Sequence, residues 1–285
     1  MPEKPQIAWQ PLTFGGVAAF ARASVGRLLL VQTIFALMTA VVVAWFLSHA
    51  WFPTIHQAIQ QLPAESQIRS GTLHWPTDSP LLLAESPFLA IAVDLNHQGH
   101  ARSPAHVQIE LGQHSLRIFS LFGYLEVLYP QSRNVPFNRT ELVPWWGAWV
   151  PPILGIAAAA VIGGSLVGWA FFATLYMWPA WVIGFFSDRD LKLSASWRLA
   201  GASLMPGAIL LSAAILFYGL GAVDLVQLVA ASLVHLIVGW IYLFGGVLAT
   251  PQHAAAETSV KNPFAPSPAV QPNASQDRPN QINSQ

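Results

Sequence analysis

Nine histidines and no cysteine set the chemistry open to this chain. Seven of the nine fall between His49 and His114. His97, His100 and His106 lie close together, with Asp94 before them and His114 after. A His-x-x-His pair can offer two imidazoles to zinc or copper, and Asp94 could add a carboxylate. The plainer reading is a turn, because Asp94-Leu95-Asn96-His97-Gln98-Gly99 follows an apolar run and is rich in turn-forming residues. If that turn closes a hairpin, the three imidazoles need not converge. The turn is the favoured reading, so no metal or cofactor is assigned. His97, His100 and His106 stand as the metal candidates. Without cysteine there is no disulfide, thiolate nucleophile or Cys-type zinc site.

His235 is the second candidate. It lies between Val234 and Leu236 in a long apolar run. An ionisable group at membrane depth is costly and suggests a proton relay or a polar ligand. The favoured alternative is a neutral imidazole bonded to a serine or carbonyl of a neighbouring helix. Ala160, Gly164 and Gly168 form a ladder of small residues that lets another helix approach closely. A neighbour in the same bundle is expected there, ahead of a second copy of the chain. Asp188-Arg189-Asp190 reads as a solvated loop cap. Arg189, Lys192 and Arg198 could touch anionic headgroups, at about 1 kcal/mol each. No Gly-rich phosphate loop, serine nucleophile elbow or zincin helix occurs, so an enzyme is not expected.

The composition says what must position these residues. Of 285 residues, 54% are apolar and 9% charged. A soluble domain carries about 25% charged residues, so this is expected to be an integral membrane protein. A soluble enzyme, a nucleic-acid binder and a disordered scaffold are excluded on the same ground. The 13 basic and 13 acidic residues cancel, leaving no global field to steer a charged partner.

Residues 1–27 form a basic leader, with an interfacial helix expected between Phe14 and Val25. Residues 28–47 carry no charge and at 1.5 Å per residue reach about 30 Å, the hydrocarbon thickness. This is the first span, read as a retained anchor because it exceeds the ~7–15 apolar residues of a signal peptide. Residues 50–143 hold twelve charged residues and are broken by prolines from Pro53 to Pro136. Val107, Ile109 and Leu111 alternate with Gln108 and Glu110, and Leu116 and Ile118 with Ser115 and Arg117. Gly112-Gln113 between them suits a tight hairpin, and Phe88–Val93 is a further strand. An inserted extracytoplasmic β-rich (α+β) domain follows, with Thr54–Leu62 able to extend the first span.

Residues 142–187 are uncharged. Trp145, Trp146 and Trp149 form one aromatic group; Trp178, Trp181, Phe185 and Phe186 form another. Trp149 and Trp178 lie about 44 Å apart along a helix, close to the full bilayer with headgroups. One span at 148–174 is therefore expected, with an interfacial stretch near Pro179. Two further spans are expected at 203–220 and 225–248, which completes the 146–248 bundle. The Pro-, Asn-, Gln- and Ser-rich stretch 250–285 reads as a disordered tail. Basic leader and basic 187–199 loop fall on one side, which puts both termini in the cytoplasm.

Ile68-Arg69-Ser70-Gly71-Thr72-Leu73, Phe88–Asp94 and Leu193-Ser-Ala-Ser-Trp-Arg-Leu-Ala-Gly-Ala-Ser-Leu-Met-Pro206 carry a resemblance. Over residues 12–250 the layout resembles a bacterial polytopic membrane-protein family defined as a domain of unknown function. The last stretch is also similar to the start of a helix in Yip1-type membrane proteins. The resemblance implies one N-terminal span, an outer β-rich domain, three further spans and a bacterial plasma membrane. It supplies no catalytic residues. The expectation is an α-helical membrane protein of four spans that works by binding a ligand, envelope component or partner protein. A permease or its accessory subunit is the alternative. Partners are the lipid bilayer, a membrane protein or a second copy of the chain, and not nucleic acid.

Overall fold

The computed structural model describes residues 9–252. The leader before Trp9 and the tail after Gln252 lie outside the described residues.

Helix α1 (Phe14–Phe20) starts where Thr13 accepts a hydrogen bond from the Gly16 amide at 3.0 Å. One side of it packs into the bundle. Val17 and Phe20 are fully buried among α5 and α7 side chains. The reason is its footing: Tyr242 donates to the Leu12 carbonyl, and Arg198 donates to the Ala21 carbonyl at 2.6 Å.

Helix α2 (Val25–Phe46) runs on through a π turn, Leu47–Trp51, into α3 (Phe52–Gln60). Pro53 has no amide proton to give the preceding turn, and the wider π turn accommodates that loss. Helix α4 (Arg139–Phe186) has 48 residues, about 72 Å at 1.5 Å each. It continues through Pro179, where the sequence suggested an interfacial stretch. Helices α5 (Leu193–Ser203) and α6 (Met205–Gly219) meet at Leu204, just before Pro206. Helix α7 (Leu225–Leu248) begins in a capping box of Asp224 and Gln227. Four helical stretches are long and apolar enough to cross a membrane: Val25–Gln60, Arg139–Phe186, Leu193–Gly219 and Leu225–Leu248.

The Leu193–Gly219 stretch is the centre of the bundle. Leu199, Ala200, Ala202 and Met205 are fully buried. Small residues let its neighbours come close. A Cβ on Gly207 would fall 2.4 Å from the His235 carbonyl oxygen of α7. One on Gly201 would fall 2.9 Å from Leu28 of α2. Beside that crossing Gln32, 2% exposed, donates to the Gly201 carbonyl at 3.3 Å. One turn-pair further along, Thr39 and Ser212 hydroxyls bond at 2.9 Å. The ladder Ala160, Gly164 and Gly168 is used differently from expectation. Ala160 is exposed, and a Cβ on Gly164 or Gly168 would meet nothing within 4 Å. Helix α4 packs along α2, and these three positions lie off that contact, so no neighbour among the described residues fills the groove.

Above the bundle stands a separate α+β unit. A hairpin of β1 (Gln67–Arg69) and β2 (Thr72–His74) precedes a five-stranded sheet. Its strands are β3 (Leu81–Glu85), β4 (Leu89–Val93), β5 (Val107–Leu111), β6 (Ser115–Ser120) and β7 (Gly123–Leu128), paired in that order. Strands β4 and β5 are parallel, and the other neighbours are antiparallel. Its core sets Leu83, Leu89, Ile91, Val93 and Leu111 against Ala58 and Leu62 at the end of α3. Phe52 and Ile59 of α3 also pack on Trp146 of α4, so two helices rise together from bundle to sheet.

Gly207→Ala is expected to destabilise the detergent-purified protein by about 1–3 kcal/mol, the range for overpacking a tight contact. Gly164→Ala and Gly168→Ala should leave its thermal unfolding where it is. Three melting curves check this.

Candidate functional site

Parallel pairing of β4 and β5 demands a crossover, and residues 94–106 make it without a helix. The turn at Asp94–Gly99 therefore opens a crossover rather than closing a hairpin. The Asp94 carboxylate accepts the Gly99 amide at 2.7 Å. Burial pushes that carboxyl up, but backbone amides of Gln98, Gly99, His100 and Asn96 outweigh it and hold it below the usual carboxylate range. His97 sits at φ +52°, a left-handed conformation uncommon outside glycine. This bend lays its ring over Gly112, where a Cβ would fall 2.0 Å from Nε2.

The crossover lies on the face of β5 that carries the polar half of its alternation. Sequence periodicity suggests a solvent face there, yet Gln108 and Glu110 are both buried. Gln108 donates to the Ala101 carbonyl at 2.9 Å and accepts the Ser103 amide at 3.0 Å. Glu110 meets His97 Nδ1 at 2.5 Å. His97 Nε2 lies 3.2 Å from the Ser115 hydroxyl, which donates to Glu126 at 2.6 Å. Arg117 closes the chain on Glu126 at 3.4 Å.

Carboxylate, imidazole and hydroxyl in a row invite comparison with a nucleophilic triad. Proton counting gives a different role. Ser115 has one proton, and the shorter contact assigns it to Glu126. Nε2 of His97 lies against the Ser115 oxygen and Nδ1 against Glu110, so the ring links the Glu110 and Glu126 carboxyl groups through a serine that is 3% exposed. This row fastens the crossover to the sheet. The Glu126 carboxyl is held below its ordinary range, first by the Ser115 hydrogen bond and also by Arg117 and His97, against a smaller desolvation effect.

The three metal candidates do not converge. His97 faces Glu110, and His100 is exposed. His106 meets the Tyr218 hydroxyl at 2.6 Å and stacks on its ring. Among the described residues no group of three or more His, Asp or Glu side chains is placed to hold a metal ion. His235 is half-buried, with Nδ1 2.5 Å from the Ser232 carbonyl of its own helix rather than a neighbour's.

His106 joins a feature not visible in the sequence, an aromatic clasp. Phe88 and His106 of the sheet pack on Phe46 of α2 and Tyr218 of α6, with centroids 5.1–6.2 Å apart. Beside the clasp a cleft of ≈ 660 Å³ opens between sheet and bundle. Arg102, Ser103, His106, Phe119, Leu121 and Leu225 are among its lining. The Arg102 side chain lies along Gly99 and forms no ion pair among the described residues. No family model, curated protein or solved structure matches this chain.

His97→Leu leaves Glu110 buried and unpaired and is expected to cost the outer domain about 3–5 kcal/mol. The double change His97→Leu with Glu110→Leu should recover much of that loss. Protease resistance of the outer domain in the purified protein reads both. Asp94 has a lowered carboxyl, so its contribution is complete above about pH 4 and fades as pH falls below that. Asp94→Asn should therefore weaken the outer domain at neutral pH and flatten its loss of stability in acid.

Proposed function

We propose that this is a multi-pass plasma-membrane protein of bacterial type whose outer domain binds a ligand without transforming it. The four long apolar helices are the spans, and the α+β unit is extracytoplasmic. Arg22, Arg27, Arg189, Lys192 and Arg198 cluster at the other end, which supports cytoplasmic termini through the positive-inside bias. The resemblance of the sequence to the domain-of-unknown-function family named above supports the same layout.

One observation carries the binding assignment. The cleft between sheet and bundle offers Arg102, free of an acidic partner, together with Phe119, Leu121 and Leu225. A guanidinium without a carboxylate suits an anionic group, and the apolar lining suits a hydrocarbon portion. An anionic amphiphile from the envelope fits both. The Glu110–His97–Ser115–Glu126 row keeps the cleft floor rigid, which limits the ordering cost of binding.

Gentle solubilisation followed by mass spectrometry of what copurifies tests this. An anionic amphiphile in stoichiometric amount, retained by the parent protein and lost from Arg102→Glu, is expected. A stoichiometric protein subunit with an empty cleft would overturn it in favour of an accessory transport subunit. His235 and the Gln32–Gly201 contact would then be the polar groups to follow through the bundle.

A further inference from the structure

The β6–β7 hairpin carries the largest cluster of apolar side chains that the outer domain leaves uncovered. Phe122 at its tip is 86% exposed, and Leu121, Tyr124 and Leu125 are exposed beside it. Every residue of β7 is exposed, and β7 is an edge of the sheet. No charge occurs from Ile118 to Leu125. An uncharged apolar hairpin facing water would be an aggregation site, so what lies against it matters.

Strand register says where the tip is. Leu89 pairs with Val107, Gln108 with Phe119, and Ser120 with Gly123. Phe88, His106 and the Leu121–Phe122 tip therefore share one end of the sheet. Phe88 and His106 are the residues clasped to Tyr218, next to the last residue of α6. Leu121 shares a cleft with Leu225, the first residue of α7. The tip thus hangs at the level where the apolar run of α7 begins. Three strand spacings separate β4 from β7, about 14 Å, so the tip reaches sideways past the clasp. Below it α7 presents Val226, Leu233, Ile237 and Ile241, all exposed.

We propose that the β6–β7 tip dips into the outer leaflet, with Phe122 and Leu121 at the headgroup/acyl boundary and Tyr124 at headgroup level. This rests on the reading of the long helices as membrane spans. Apolar residues flanked by tyrosine match the interfacial zone, where the unpaired edge of β7 keeps polar partners and the tip brings no charge to desolvate. The outer domain then has two footings on the membrane, the aromatic clasp and the hairpin.

The chain has no cysteine, so a single introduced one is a unique labelling site. Phe122→Cys, Asp78→Cys and Val167→Cys would each carry a nitroxide in the full-length protein, reconstituted in phosphatidylglycerol/phosphatidylethanolamine vesicles. All three positions are exposed, so the labels need not disturb packing. Collision rates with oxygen and with an aqueous nickel chelate give depth. Position 167, mid-helix in α4, should favour oxygen, and position 78, at the far end of the sheet, the nickel chelate. Position 122 is expected to side with 167. If 167 favours oxygen while 122 favours nickel, the hairpin proposal is overturned and the spans stand. If 167 itself favours nickel, the spanning reading fails and the proposal falls with it. Strong dipolar broadening between labels at 122 would also overturn it, by showing that a second copy covers the tip.

Discussion

Glu110 carries a carboxylate on β5 that solvent barely reaches, and left unpaired there it would cost several kcal/mol. Arg117 stands opposite it on β6 but reaches Glu126 instead, and the close partner of Glu110 is His97. His97 comes from the crossover, and only a left-handed bend and a bare Gly112 let its ring reach. Once His97 is seated, the rest of 94–106 has little freedom. Gln108 pins Ala101 and Ser103, and His106 arrives at the far end in position to meet Tyr218. Cleft floor, crossover path and clasp thus descend from one buried charge.

The bundle obeys a different constraint. In a lipid setting apolar surface gives helices no reason to associate, so shape and hydrogen bonds decide. The Leu193–Gly219 stretch meets that need with Gly201 and Gly207 at its crossings and with Gln32, Thr39 and Ser212 as polar contacts. Helix α4 packs along α2 but leaves its Gly164–Gly168 face open.

Much of this was legible in the residues and some was not. Long uncharged runs marked the apolar helices, because length and hydropathy are local properties. Alternation at Val107–Leu111 and Leu116–Ile118 marked β5 and β6 for the same reason. What alternation could not say was that both faces of β5 are covered, since the cover comes from a crossover whose path depends on parallel pairing. The small residues at Ala160, Gly164 and Gly168 look as fit for packing as Gly201 and Gly207. Only tertiary placement separates a groove that is filled from one that is not. The histidines read as a possible metal cluster because they are close in sequence, yet chain reversal at Gly99 sends His97 and His106 to different neighbours. A signal for the bridge did exist: Glu110 and Ser115 lie near each other on either side of the 112–114 turn, polar positions that a crossover over that face can engage.

Two helices leave the bundle for the outer domain without a loop between, Val25–Gln60 and Arg139–Phe186. Edge-to-face contact of Phe52 with Trp146, centroids 5.1 Å apart, braces them above the bundle. In mechanical terms the sheet stands on a two-legged strut rather than on a tether. A tether would absorb a sideways force on the domain within its own slack. A braced pair converts it into a push along one leg and a pull along the other. Those opposed loads emerge at the far ends of the same helices, beside α1 and the 187–192 loop, so a tilt of the sheet becomes a shear at the opposite end of the bundle.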